Sequence, residues 1–149
     1  MRLEDRQDIR VFLPDMGDAV LGWGRKNSGM EAQRRAIEEG RSFILLEDGF
    51  LRSIGREDLQ SSLVLDWVGI YYDAACASTL EQLIRLPLDE RRRQRADDLI
   101  RRWRDARVSK YNSERDYQGP LPERFVLVCD QTAGDHSIRY GLGDDGSFR

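Results

Sequence analysis

Apolar positions cluster into two short unbroken runs, each followed at once by a polar exit. Phe43-Ile44-Leu45-Leu46, with one aromatic and one β-branched member, has the pattern of a strand covered on both faces of a parallel sheet, and Glu47, Asp48, Gly49 and Arg52 follow it. Phe125-Val126-Leu127-Val128-Cys129 repeats the design and leads into Asp130-Gln131-Thr132-Ala133-Gly134-Asp135-His136-Ser137-Ile138. Parallel strands present the same end at one sheet edge, and α/β sheets bind ligands beyond the carboxyl ends of their strands. Both runs are therefore expected to be strands whose exits converge on one site.

The remaining pattern predicts an α/β fold, a Rossmann-like parallel or mixed sheet flanked by helices. Residues 1–10 are mostly charged and are expected to form a mobile start. Val11-Phe12-Leu13 reads as a short strand stopped by Pro14, and residues 18–24 as a strand running into a basic, turn-rich loop, Arg25-Lys26-Asn27-Ser28-Gly29. Residues 30–39 suit a helix built on Met30, Ala32, Ala36 and Ile37 that closes at Gly40, completing a βαβ unit. Residues 56–60 form a polar connection; residues 63–66 and 68–73 then read as two short strands, a hairpin or bent pair at an edge. Ser78-Thr79-Leu80-Glu81 matches a capping box. Asp89 is placed to cap a second helix, in which Ala96, Leu99, Ile100 and Trp103 recur at helical spacing. A proline-containing loop over residues 112–122 precedes the second apolar run. At the end of the chain Ser147 looks like the cap of a helix cut short.

Charge narrows the partners. The 149 residues carry 24 basic and 27 acidic side chains, a net charge of −3, which gives no overall pull towards nucleic acid or anionic surfaces. Eight arginines at positions 91, 92, 93, 95, 101, 102, 104 and 107 are interleaved with Glu90, Asp97, Asp98 and Asp105, the pattern of a solvated, ion-paired helix rather than a continuous phosphate track. The same helix is nonetheless one that can rest on anionic lipid. Two cysteines, Cys76 and Cys129, suggest neither a disulfide framework nor a zinc site, and Cys129 falls within the second predicted buried strand. With no signal-peptide core and no membrane-length apolar run, a cytoplasmic protein is expected, peripheral at the inner face of a membrane if it meets one.

Four stretches together carry a resemblance: Gly22-Trp23-Gly24-Arg25-Lys26-Asn27-Ser28-Gly29, residues 46–53, Gly69-Ile70-Tyr71-Tyr72-Asp73-Ala74, and residues 130–138. In this order they resemble the bacterial capsule-polysaccharide β-Kdo transferases, which move 3-deoxy-D-manno-octulosonic acid (Kdo) from CMP-Kdo. The resemblance implies the cytoplasmic face of the inner membrane and a glycolipid acceptor. It also implies a two-Rossmann-domain glycosyltransferase in which residues 1–149 are the N-terminal, acceptor-side, nucleophile-bearing domain. The donor-binding domain would be missing from this chain, leaving it incomplete and inactive alone.

Transfer from a β-configured donor to a β-linked product retains configuration, which two successive inversions through a carboxylate nucleophile achieve. By resemblance Asp135 is the nucleophile and Glu47 the general base, with Asp48 in reserve. Each has a plainer alternative: Asp135 as a helix cap, Glu47 and Asp48 as turn acids. Arg25, Lys26 and Arg52 are candidates for the sugar carboxylate or donor phosphate, or are surface charges. Gln131, Thr132 and Ser137 either bind substrate hydroxyls or satisfy loop backbone. Trp23, Tyr71 and Tyr72 stack on sugar or fill core. His136 stands where the family pattern has a smaller residue, and its ring is expected to point away from the site. As the only histidine it gives no metal cluster, and no cofactor beyond the CMP-Kdo substrate is expected. The rival reading is a non-catalytic glycan-binding or assembly module of the capsule biosynthesis and export machinery.

Overall fold

A computed structural model describes all residues except 1, 2, 4–8, 10, 14, 55–60, 114, 145 and 147–149. Most of the charged start, the Pro14 stop, the 56–60 connection and the Ser147 cap therefore lie outside the described residues. The described elements are β1 (Val20–Trp23), α1 (Asn27–Glu39), β2 (Phe43–Asp48), β3 (Leu63–Asp66), α2 (Thr79–Ile84), α3 (Glu90–Asp105) and α4 (His136–Tyr140).

The sheet is mixed, in the order β1-β2-β3. β1 and β2 run parallel from Val20↔Phe43 to Trp23↔Leu46, joined by α1 as the predicted βαβ crossover, and β3 pairs antiparallel with β2. The central position of β2 explains its unbroken apolar run, because both of its faces are covered. Ile44 and Leu46 pack with Ile9, Leu13, Ala19 and Leu21 on one side. On the other, Val20 and Phe43 meet α1 through Ala32 and Ala36.

α1 buries its small residues. Gly29, Ala32 and Ala36 face the sheet, whereas Ile37, expected on the apolar face, is 82% exposed. Close approach is the reason: a Cβ at Gly29 would collide with the Gly24 carbonyl at the end of β1. The helix closes at Gly40, as expected, in the left-handed conformation with φ 62°.

Three predicted strands do not form. Residues 68–73 are a bent loop, because the fully buried Asp66 carboxylate accepts the N–H groups of Val68 and Gly69, both at 2.9 Å, and folds the chain back straight after β3. The same carboxylate accepts the Thr79 N–H and hydroxyl at 3.0 and 2.9 Å, anchoring α2. Residues 11–13 are a turn closed by the Phe12 N–H on the Ile9 carbonyl. Residues 125–129 have no ladder partner among the described residues; Val126 is 89% exposed, and Cys129 is exposed rather than buried. A strand is a tertiary object: without a neighbouring edge, β propensity has nothing to pair with.

The capping box at Ser78 and Glu81 forms, and Asp89 caps α3 by accepting the Arg92 N–H at 2.7 Å. α3 has no buried residue, and no other described helix or strand packs against it.

Candidate functional site

At the carboxyl ends of β1 and β2 lies an open cleft of about 460 Å³, lined by residues from five separate segments. Lys26 comes from the β1 exit, Glu47 and Asp48 from β2, Tyr71 and Tyr72 from the bent loop, Lys110 and Tyr111 from the segment after α3, and Gln131, Asp135, His136 and Ser137 from the approach to α4. The two exits singled out in the sequence thus converge even though residues 125–129 form no strand.

Glu47 is held from three sides. Its Oε1 accepts from the Trp23 indole Nε1–H at 3.0 Å and from the Asp48 N–H at 3.1 Å. The Tyr72 phenol also hydrogen-bonds Glu47 while accepting the Arg25 N–H at 2.9 Å. This bridge explains Gly24: φ there is 40°, and a Cβ would strike the Tyr72 hydroxyl and stand 2.8 Å from Glu47 Oε2. Burial, with Glu47 and Tyr71 adding to it, outweighs the Arg25 N–H and pushes the Tyr72 phenol up to about 12. Tyr71 is raised as well, first by burial and then by Glu47, Asp48 and Asp135. A phenol that feels all three carboxylates marks their convergence.

Asp135 caps α4, accepting the Ser137 N–H at 2.7 Å. That bond, the Ser137 hydroxyl and the Gln131 side chain hold its carboxyl below the usual range against a smaller desolvation, with His136 adding slightly. α4 is docked by the Ala74 N–H on the Tyr140 carbonyl at 2.9 Å.

Arg25 is turned away from the cleft. Its guanidinium pairs with Asp73, whose side chain is only 3% exposed, and donates to Gln33 Oε1 and Cys76 Sγ, both at 3.0 Å, while lying 5.7 Å from the Tyr140 ring centroid. Burial works against its charge, but Asp73 and Cys76 more than offset this. Arg25 therefore welds the β1 exit, α1, the 73–76 turn and α4 together. Arg52 forms an ion pair with Asp48 at 3.6 Å; neither Arg52 nor Thr132 lines the cleft. His136 is among the lining residues, with its ring 5.7 Å from that of Tyr140.

Lys110 and Tyr111 escaped the sequence reading. The Lys110 carbonyl accepts the Arg52 N–H at 2.8 Å, and the Asn112 amide donates to the Ser53 carbonyl at 2.9 Å, so this segment is laid across the β2 exit. The only local signal is Asn112, which folds back on Ser109 in a side-chain turn.

The ends of parallel strands, where this cleft of ionisable and aromatic side chains lies, are where α/β proteins most often bind their ligands. Residues 18–109, more than half of the chain, match the family described as capsule polysaccharide biosynthesis protein. The chain belongs to this family.

Among curated relatives it is 37% identical over 146 residues to the capsule polysaccharide modification protein LipA of Neisseria meningitidis serogroup A, covering 88% of this chain and 20% of LipA. It is 37% identical over 137 residues to the lipopolysaccharide-processing protein LpsZ of Rhizobium meliloti, covering 83% of this chain and 30% of LpsZ. The chain thus spans between a fifth and a third of these relatives. Among solved structures it resembles the β-Kdo 2,4 transferase of Thermosulfurimonas dismutans KpsC, at 34% identity and a TM-score of 0.77, covering 98% of this chain and 51% of that one. The β-Kdo 2,7 transferase of the same KpsC matches at 28% identity and a TM-score of 0.58, covering 94% of this chain and 49% of that one.

Proposed function

We propose that the chain is the N-terminal, acceptor-side unit of a retaining β-Kdo glycosyltransferase that uses CMP-Kdo and a glycolipid acceptor in making the capsular linker. The observation that carries this reading is the meeting of Glu47, Asp48 and Asp135 around Tyr71 in one cleft. Its family membership and its likeness to the KpsC transferases supply the chemistry.

An Asp135 carboxylate oxygen attacks the anomeric carbon as the bond to cytidylate breaks, the electron pair leaving with the phosphate, and a glycosyl ester forms. The acceptor hydroxyl then attacks the same carbon from the opposite side, Glu47 takes its proton, and the Asp135 carboxylate is released. Two inversions give net retention. Cytidylate leaves without needing a proton, so neither a metal nor a further cofactor is assigned. Lys26 and Lys110, the cations of the cleft, suit the sugar carboxylate or the donor phosphate; Gln131 and Ser137 hold Asp135. The donor would be held mostly by a second domain beyond these residues, and without it the unit is expected to be inactive. The site of action is the cytoplasmic face of the inner membrane.

One observation favours a second reading, a non-catalytic glycan-binding or assembly module: Asp135 already has a structural task as the cap of α4. Intact-mass spectrometry of the chain extended by such a second domain, incubated with CMP-Kdo generated in situ and followed by peptide mapping, separates the two. A Kdo adduct on Asp135 that is absent from Asp135→Asn supports the transferase. Donor left untouched by the folded extended protein supports the module.

A further inference from the structure

α3 sorts its charges in a way that its composition conceals. At about 100° per residue and with Ala96 set at zero, Ala96, Leu99, Ile100 and Trp103 occupy an arc from about −60° to +40°. Glu90, Asp97, Asp98 and Asp105 occupy the opposite arc, from about 100° to 200°. The arginines fill the shoulders between: Arg93 and Arg104 at about 60–80° on one side, Arg91, Arg102 and Arg95 at about 220–260° on the other. The two that break the pattern are ion-paired within α3 or to its cap, Arg101 to Asp98 at 2.6 Å and Arg92 to Asp89 at 3.7 Å.

The apolar stripe is bare. Leu99 is 47%, Ile100 51% and Trp103 37% exposed, and no other described helix or strand covers them. Most of a helix's stability in a protein comes from packing its apolar face, and α3, with no buried residue, has a face in need of a surface.

We propose that α3 is an interfacial helix that seats the protein on an anionic lipid bilayer, its axis parallel to the surface. The apolar arc dips among the acyl chains, the shoulder arginines reach the lipid phosphates, and the acids face water. This deepens the glycolipid-acceptor reading above and rests on it for its purpose, though not for its geometry. Charge complementarity selects the occupant. Guanidinium forks match phosphate, and long arginine stems snorkel from an apolar arc to a headgroup layer. A nucleic-acid track would want cations along the middle of one face, where α3 instead carries leucine, isoleucine and tryptophan with Arg92 alone among them, paired to Asp89.

The test is co-sedimentation of the full chain with phosphatidylcholine vesicles and with vesicles containing about 30% phosphatidylglycerol, with tryptophan quenching by brominated lipid. The expected result is at least tenfold tighter binding to the anionic vesicles. That preference should be lost in the triple variant Arg95→Gln, Arg102→Gln, Arg104→Gln and kept in the double variant Asp98→Asn, Asp105→Asn. Quenching should disappear in Trp103→Phe. Because no other described helix or strand packs against α3, these variants should unfold within a few degrees of the parent.

Equal binding by the triple variant and the parent would overturn the proposal, as would vesicle binding without Trp103 quenching. So would self-association abolished by Leu99→Asp, which would make a second copy the occupant, or iodide shielding of Trp103 in a lengthened chain without vesicles, which would make it the added domain. Adduct formation on Asp135 needs no vesicles, so the transferase reading and this one fail separately.

Discussion

Gly24→Ala probes whether the cleft is held by the bridge from the Arg25 backbone through Tyr72 to Glu47. Gly40→Ala is its control, since both glycines have positive φ, 40° and 62°, but a Cβ at Gly40 meets nothing within 4 Å. Left-handed backbone costs alanine about 1–2 kcal/mol, and the stiffer unfolded chain returns about 0.4–1 kcal/mol, a net loss of about 1 kcal/mol at either site. Only at Gly24 must the Tyr72 side chain also swing aside. That breaks the bond from the Arg25 N–H, 2.9 Å long, and the bond to Glu47. At about 1 kcal/mol each, Gly24→Ala should lose roughly 3 kcal/mol in all. Urea unfolding followed by circular dichroism reads the difference: with a slope of about 2 kcal/mol per molar, the two midpoints should lie roughly 1 M apart. Coincident midpoints would refute the bridge.

Asp135→Asn keeps a good capping side chain and should leave thermal unfolding nearly unchanged while abolishing adduct formation; Asp135→Ala should in addition lose about 1 kcal/mol of stability. An Asn variant that still forms the adduct would leave Asp135 as a cap alone. The raised Tyr72 phenol favours the folded state below its ordinary value of 10.0, and this contribution is lost as pH climbs through about 12. Parent stability should therefore decline over that window more steeply than that of Tyr72→Phe, and parallel urea titrations would contradict the assignment. For Asp135 the sign reverses: its lowered value contributes stability above the ordinary 3.8 that is lost as pH falls through the folded value, and Asp135→Asn should flatten that loss. Asp66→Ala orphans the N–H groups of Val68, Gly69 and Thr79. At about 1 kcal/mol or more for each, urea unfolding should report a loss of at least about 3 kcal/mol, and a loss under 1 kcal/mol would deny Asp66 its role.

Local chemistry made much of the fold legible before any coordinates. Ser78 with Glu81, Asp89 before α3 and Gly40 after α1 act through bonds to residues one to four positions away, so short windows of sequence contain everything they need. The apolar run of β2 was readable because burial on both faces leaves no polar position. α1 was harder. Its buried face is Gly29, Ala32 and Ala36, and a hydrophobicity pattern gives weight to Met30 and Ile37, which point outward. What decides there is how near the helix must come to β1, a distance that no residue scale contains.

The sequence by itself determined the βαβ unit, the caps and the two acidic exits, because each depends on neighbours in the chain or on the simple demand that apolar runs be covered. Only the tertiary structure decided which groups share the cleft. It turned Arg25 inward to Asp73, brought Lys110 and Tyr111 over the β2 exit, and set Tyr72 as the partner of Glu47. It also left residues 125–129 without a ladder partner among the described residues while still delivering Asp135 to the cleft. The physical reason is common to all of these: ladder bonds, buried ion pairs and cleft contacts join residues tens of positions apart, and their free energy depends on which surfaces meet in space.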